Sequence, residues 1–156
     1  WMSLAALEPI LRAAVSGLQF ASYEIMRKKL DLEAAKRNRN GVIEYNARSV
    51  NGSSRGLFQM GRGAWSDIQP RLGFGYDRAF DPRINARAAA LYVENNVRVA
   101  RAKGYTGPIT DDVVYTMHNQ GVDGFLRILR GGQIQGNQSA AARQVIARAT
   151  NTPTYG

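Results

Sequence analysis

Three features of the chain predict a mainly helical, α+β fold. Apolar residues recur at three- and four-residue spacing in segment after segment, and helix-capping residues stand directly ahead of several of these segments. One short run of β-type residues follows a turn pair. The 156 residues carry no internal repeat and no linker, so a single domain over 1–156 is expected, with 151–156 as a tail.

Taken in order, Ser3 can cap a helix whose stripe is Leu4, Leu7, Leu11, Ala14, Val15 and Leu18. Pro9 lies too deep for a first-turn proline, which moves the expected helix start towards Glu8. Residues 26–40 are rich in Lys, Arg and Asn and read as a solvated helix face with Glu33 in water. Asn40-Gly41 is a turn pair, and Val42-Ile43-Glu44-Tyr45 gives a short hairpin running to Ser49 and on towards Gly56. Pro70 and Gly73-Phe74-Gly75-Tyr76 mark a loop suited to the rim of a groove.

Asp81 caps and Pro82 opens a long helix with Ala86, Ala90, Val93, Val97 and Ala100 on its inner stripe. Ile84, Ala88, Leu91 and Tyr92 add further apolar surface, so this helix is the expected centre of the fold, ended by Gly104. Thr110 caps the next helix, where Asp111 and Asp112 suit the dipole and Val113, Tyr115, Met117 and His118 follow. Val122, Phe125, Leu126 and Leu129 form another stripe that stops at Gly131-Gly132. A last helix from Ser139 buries Ala142, Val145, Ile146 and Ala149.

The composition bounds the chemistry. Cys is absent and His occurs once, so disulfides, thiolate metal sites and a His cluster for zinc are excluded, and neither metal nor cofactor is expected. A formal net charge of +9 and a pI near 10.4 call for an anionic partner: nucleic acid, anionic lipid, or a cell wall carrying carboxylates and phosphates. The basic residues are scattered without interleaved stacking aromatics or a nucleic-acid motif, which argues against nucleic acid. There is no apolar run long enough for a membrane span and no signal peptide pattern, and Trp1 ahead of Met2 reads either as an added residue or as the mark of a domain excised from a longer chain, which leaves room for a lost leader.

The chain is organised around Asn51-Gly52-Ser53-Ser54-Arg55-Gly56-Leu57-Phe58-Gln59-Met60-Gly61-Arg62-Gly63-Ala64-Trp65. A turn feeding an extended segment is expected there. Gly56 would let backbone approach a ligand, Gln59 would offer donor and acceptor, and Phe58 and Trp65 would present flat faces for sugar rings.

Ser-Ser-Arg-Gly-Leu-Phe-Gln-Met followed by Ala-Trp resembles the Gly-Leu-x-Gln signature of the lytic transglycosylase and goose-type lysozyme superfamily, in the version used by bacteriophage cell-wall lysins. Asp81-Pro82-Arg83-Ile84-Asn85-Ala86-Arg87 resembles that family's next helix start. Asp112-Val113-Val114-Tyr115-Thr116-Met117-His118-Asn119-Gln120-Gly121 resembles its Tyr-x-x-His-x-x-Gly block. The resemblance spans 7–129 and implies a lysozyme-like fold, a helical bundle around a central helix with a small β-hairpin flanking the substrate groove.

What it implies functionally is an endolysin-type enzyme that degrades peptidoglycan. Such an enzyme cleaves the β-1,4 bond between N-acetylmuramic acid and N-acetylglucosamine, and works without a cofactor as a monomer at the bacterial cell wall or periplasm. In a lytic transglycosylase one glutamate acts as acid and then base, and the muramic acid 6-hydroxyl attacks to leave a 1,6-anhydro end; water attack would give a muramidase product. A basic wall- or nucleic-acid-binding module without catalysis is the competing reading. Aligning the first stripe and Tyr23-Glu24-Ile25 with the family puts its catalytic glutamate at Gln19, a departure from the pattern. Either an amide has replaced the acid, or the acid lies elsewhere, or Gln19 is an exposed helix-end residue. Glu44 is the rival acid, because Glu44-Tyr45-Asn46-Ala47-Arg48-Ser49 resembles the segment after the family's glutamate. The resemblance further implies substrate contacts from Tyr23, Ser54, Gly56, Leu57, Phe58, Gln59, Met60, Tyr115, His118, Asn119 and Gln120.

Overall fold

A computed structural model describes residues 2–34, 38–39, 42–45 and 52–131. The chain is mainly helical with two small sheets. It divides into two compact units, Trp1–Glu94 and Asn95–Gly156.

In the first unit, β1 (Met2–Ser3) leads into α1 (Leu4–Ala14), and Ser3 Oγ accepts from Ala6 N at 3.1 Å. The helix therefore starts at its cap and carries Pro9 inside, not at Glu8. The carbonyl that Pro9 leaves without a donor belongs to Ala5, which is exposed and can turn to water. Leu7, Leu11 and Ala14 are buried, as the stripe predicts, and Ile10, outside the stripe, is buried with them, while Leu4, Val15 and Leu18 are half-buried; the helix ends at Ala14 and Gly17 adopts a left-handed conformation. The guanidinium of Arg87 donates to the Ala14 and Ser16 carbonyls at 2.8 and 2.9 Å, closing the helix end.

α2 (Tyr23–Ala34) buries Met26, Lys29 and Leu30, a spacing that makes one face apolar. The expectation of a fully solvated charged face is corrected there. β2 (Asn38–Arg39) and β3 (Val42–Ile43) pair antiparallel, with Asn38 opposite Ile43, and β1 adds to the far edge of β3, so the helix expected over 26–40 gives way to a strand at 38–39; the expected turn pair Asn40-Gly41 lies outside the described residues. The hairpin's expected continuation through 46–51 lies outside the described residues.

β4 (Ser54–Arg55) and β5 (Met60–Gly61) pair antiparallel, so Gly56-Leu57-Phe58-Gln59 is their connecting turn and not an extended segment. Gly56 at φ +82° and Gln59 at φ +50° supply the reversal. α3 (Arg62–Leu72) follows directly, where sequence reading expects a loop from Pro70; it buries Trp65 and Ile68 and stops at Gly73. A 3₁₀ turn (Tyr76–Arg78) then precedes α4 (Pro82–Ala102). Asp81 Oδ1 accepts from Arg83 N and Ile84 N at 2.9 and 3.3 Å, the cap predicted for this helix. Ala86, Ala88, Ala89, Ala90, Leu91 and Val93, the part of α4 that belongs to this unit, are all buried.

The second unit holds the end of α4, closed by Gly104 in the left-handed region with Tyr105 N donating to Ala100 O at 3.0 Å. α5 (Asp111–Leu129) is capped by Thr110 Oγ1 on Val113 N at 3.2 Å. It breaks at Gly121 (φ 74°, ψ 166°), which separates the Tyr115 segment from the stripe of Phe125 and Leu126. The last helix expected from Ser139 lies outside the described residues. Among the described residues no helix is long and apolar enough to cross a membrane.

Candidate functional site

The Gly-Leu-Phe-Gln turn is held from below by one side chain. Asn85, fully buried in the first turn of α4, accepts from Phe58 N at 2.8 Å and donates to Arg55 O at 3.0 Å and Ala79 O at 2.7 Å. A Cβ on Gly56 would meet Ala79 O at 2.2 Å and Asn85 Nδ2 at 2.4 Å. The missing side chain therefore makes room for the protein's own backbone and Asn85, not for a ligand. Gln59 folds back, its Nε2 donating to Gly56 O at 2.9 Å.

Leu57, Phe58 and Met60 are buried, and so is Trp65, whose Nε1 donates to Phe74 O at 2.9 Å. The expectation that Phe58 and Trp65 offer open faces to sugar rings is thus corrected. Both belong to the core because the turn folds them inward. Ser54 and Gln59 are half-buried, and Gln59 is the one residue of the Gly-Leu-Phe-Gln turn itself that is not buried.

Beside the turn lies an aromatic and cationic cluster. Tyr76 donates from its hydroxyl to Met60 O at 2.7 Å and meets Trp65 edge-on at 5.6 Å. The Arg55 guanidinium sits 4.3 Å from the Tyr76 ring centroid and 5.4 Å from that of Phe80, with Nη1 donating to Tyr76 O at 3.0 Å. Arg62 sits 4.8 Å from the same Tyr76 ring.

Gln19 lies in the connection between α1 and α2, not at a helix end, and is exposed. What holds it is its backbone: the N–H groups of Gln19 and Phe20 both donate to Glu94 Oε1, the second at 2.9 Å. Tyr23 is half-buried under Arg12, whose guanidinium lies 4.1 Å from its ring, and its hydroxyl accepts from Arg27 Nη1 at 3.4 Å. That bond, with Asp31 alongside, raises the Arg27 pKa. Glu44, directly after β3, is half-buried and engaged with neighbouring groups.

Two residues that sequence reading did not single out stand out here: Glu94, the anchor of the Gln19 loop, and Lys29. The Lys29 amine is buried, has no hydrogen-bond partner among the described residues, and lies 5.8 Å from the Phe58 ring centroid. Loss of hydration lowers its pKa from 10.5 to about 7, opposed by the attraction of Glu33. Its i, i+3, i+4 spacing with Met26 and Leu30 is the signal that places it on the buried face.

Tyr115, His118, Asn119 and Gln120 belong to the second unit. Tyr115 is buried with its ring 6.4 Å from that of His118, while His118 and Gln120 are half-buried and the Asn119 side chain lies outside the description. Among the described residues no group of three His, Asp or Glu side chains is arranged to hold a metal ion. No known family model matches the chain, and a search of curated proteins likewise returns no match.

Proposed function

We propose that this chain is a peptidoglycan-cleaving enzyme of the lytic transglycosylase type, acting on the β-1,4 bond between N-acetylmuramic acid and N-acetylglucosamine. The observation that carries the reading is the Asn85 lock. The Gly-Leu-Phe-Gln turn and the Asp-Pro-x-x-Asn-Ala helix start, two segments of the family resemblance, are joined by that one side chain through Phe58 N, Arg55 O and Ala79 O. A rigid turn of this kind can present Gln59 and its own backbone at a fixed place to a polymer. The charge of +9 suits a wall rich in carboxylates and phosphates.

The acid we assign is Glu44. A general acid for glycoside cleavage must hold its carboxyl against the leaving oxygen and out of bulk water. Gln19 is exposed, so a glutamate in its place would sit in water and ionise. Glu44 is half-buried and begins the segment that resembles the family's post-glutamate sequence. The leaving oxygen takes the Glu44 proton as its bond to C1 breaks, and the resulting Glu44 carboxylate then accepts the proton of the muramic acid 6-hydroxyl as that oxygen, in place of water, bonds to C1.

Turbidity loss on purified walls tests this. The chain itself should clear the suspension, Glu44→Gln should lose on the order of a hundredfold or more in rate, and Gln19→Glu should change little. Lysis appearing only in Gln19→Glu would transfer the acid to position 19. No lysis by either form, with retention on DNA through a salt series, would favour the binding-module reading. Mass spectrometry of the released fragments separates a 1,6-anhydro end from a hydrolysed one.

A further inference from the structure

Arg55 and Arg62 bring two guanidinium groups to the same aromatic ring, at 4.3 and 4.8 Å from the Tyr76 centroid. Among the described residues no carboxylate pairs with either. Arg55 is fixed: stacked on Tyr76 and Phe80, bonded to Tyr76 O, and with its Nε buried and unpartnered. Arg62 is exposed, and among the described residues it forms no hydrogen bond or ion pair, only the contact with the ring. Its place is electrostatically unfavourable as well. It is the first residue of α3, where the dipole repels cations, the first turn holds no acidic residue, and the Gly61 cap supplies no side-chain acceptor. Contact with a ring face offsets part of that cost, but the charges stay unneutralised. The cluster borders the Gly-Leu-Phe-Gln turn on both sides: Arg55 directly precedes it, and Tyr76 donates to the carbonyl of Met60 directly after it at 2.7 Å.

We infer that Arg55, Tyr76 and Arg62 form an anion subsite, and that its ligand is a carboxylate carried by the glycan strand. Arg62 is the group that contacts the carboxylate; Arg55 is the fixed positive charge behind the ring, and Tyr76 holds both in place. This rests on the glycan-cleaving reading and deepens it: the subsite would make the protein prefer a muramic-acid polymer over a neutral N-acetylglucosamine polymer. The carboxylate has two sources on such a strand, the lactyl ether of muramic acid and the attached peptide.

The test uses calorimetric titration of the Glu44→Gln form, which binds without turnover on the present reading. The probes are a peptide-free tetrasaccharide of alternating N-acetylglucosamine and N-acetylmuramic acid, the same compound with its carboxyls reduced to alcohols, the peptide-bearing tetrasaccharide, and chitotetraose. The carboxylated glycans should bind about tenfold more tightly than chitotetraose, with the difference shrinking as salt rises. Adding Arg62→Ala should remove that difference and leave chitotetraose binding unchanged. Arg71→Ala, which removes the same charge from the exposed far end of α3, should leave the preference intact. A preference seen only with the peptide-bearing compound assigns the anion to the peptide; one seen already without peptide and lost on reduction assigns it to the lactyl group. Equal binding of carboxylated and neutral glycans, or equal loss from Arg62→Ala and Arg71→Ala, overturns the subsite and leaves the cleavage reading standing. Failure of every glycan to bind, together with no lysis by the unaltered chain, overturns the cleavage reading as well.

Discussion

Two buried polar side chains reach the same turn and are treated in opposite ways. Asn85 uses both ends of its amide, accepting from Phe58 N and donating to Arg55 O and Ala79 O. Lys29 approaches the Phe58 ring from α2 and finds no acceptor among the described residues. A buried amide with matched partners costs little and fixes geometry, whereas a buried ammonium without an acceptor opposes folding whenever it is charged. The turn is thus locked from the α4 side and strained from the α2 side. What separates the two cases is partner supply, since both side chains are almost fully buried.

The largest effect should come from breaking the lock. Asn85→Leu leaves Phe58 N, Arg55 O and Ala79 O without their partner, at roughly 5 kcal/mol in total if each buried group costs about 1–3 kcal/mol. Thermal unfolding followed by circular dichroism should show a collapse of the transition or a loss of tens of degrees. Asn85→Asp sharpens the point: its carboxylate still accepts from Phe58 N but cannot donate to the two carbonyls, so it should rescue little. A stability near that of the parent in either variant would mean that the turn holds its shape by other means.

Relieving the strain should act in the opposite direction. An unfolded lysine takes up its proton below about 10.5, and Lys29 in the fold only below about 7. Between those values unfolding binds a proton, so stability rises with pH across that window and the full cost of the buried charge is present below about pH 7. Lys29→Met should therefore stabilise the protein by about 3 kcal/mol at pH 6 and flatten the rise between pH 7 and 10. Urea titrations at a series of pH values give both numbers, and an unchanged pH slope in Lys29→Met would show that another group governs it.

Much of this arrangement was legible in the sequence, and the parts that were not share a cause. Ser3, Asp81 and Thr110 cap the helices they were expected to cap, and the α4 stripe of Ala86, Ala90, Val93, Val97 and Ala100 is buried as its spacing predicts. These are local properties: a cap and its helix lie within a few residues, and periodicity is written in one segment. The β-type residues Val42 and Ile43 do form a strand, but its partner on one side is Asn38–Arg39, inside the stretch expected to be a charged helix. The Gly-Leu-Phe-Gln turn misled because Gly56 permits several backbone paths, and the choice among them is made by Asn85, far along the chain. Lys29 was hidden by its own charge, which outweighed the spacing it shares with Met26 and Leu30. Phe58 and Trp65 read as open faces because aromatic residues suit both cores and sugars, and only packing decides between them.

The Gln19 loop extends the same comparison to a weaker case. Glu94 there does what Asn85 does for the turn, accepting from the N–H groups of Gln19 and Phe20, but from a half-buried position where water competes. Glu94→Gln keeps an acceptor and loses the charge, so it should cost about 1 kcal/mol, and Glu94→Ala somewhat more. Because the bonds run to backbone, Gln19→Ala should cost almost nothing by itself. Amide hydrogen exchange separates these outcomes: Gln19 and Phe20 should lose protection in Glu94→Ala and keep it in Gln19→Ala. If Gln19→Ala instead frees the loop as fully as Glu94→Ala does, the side chain at position 19 has a structural role that its exposure hides.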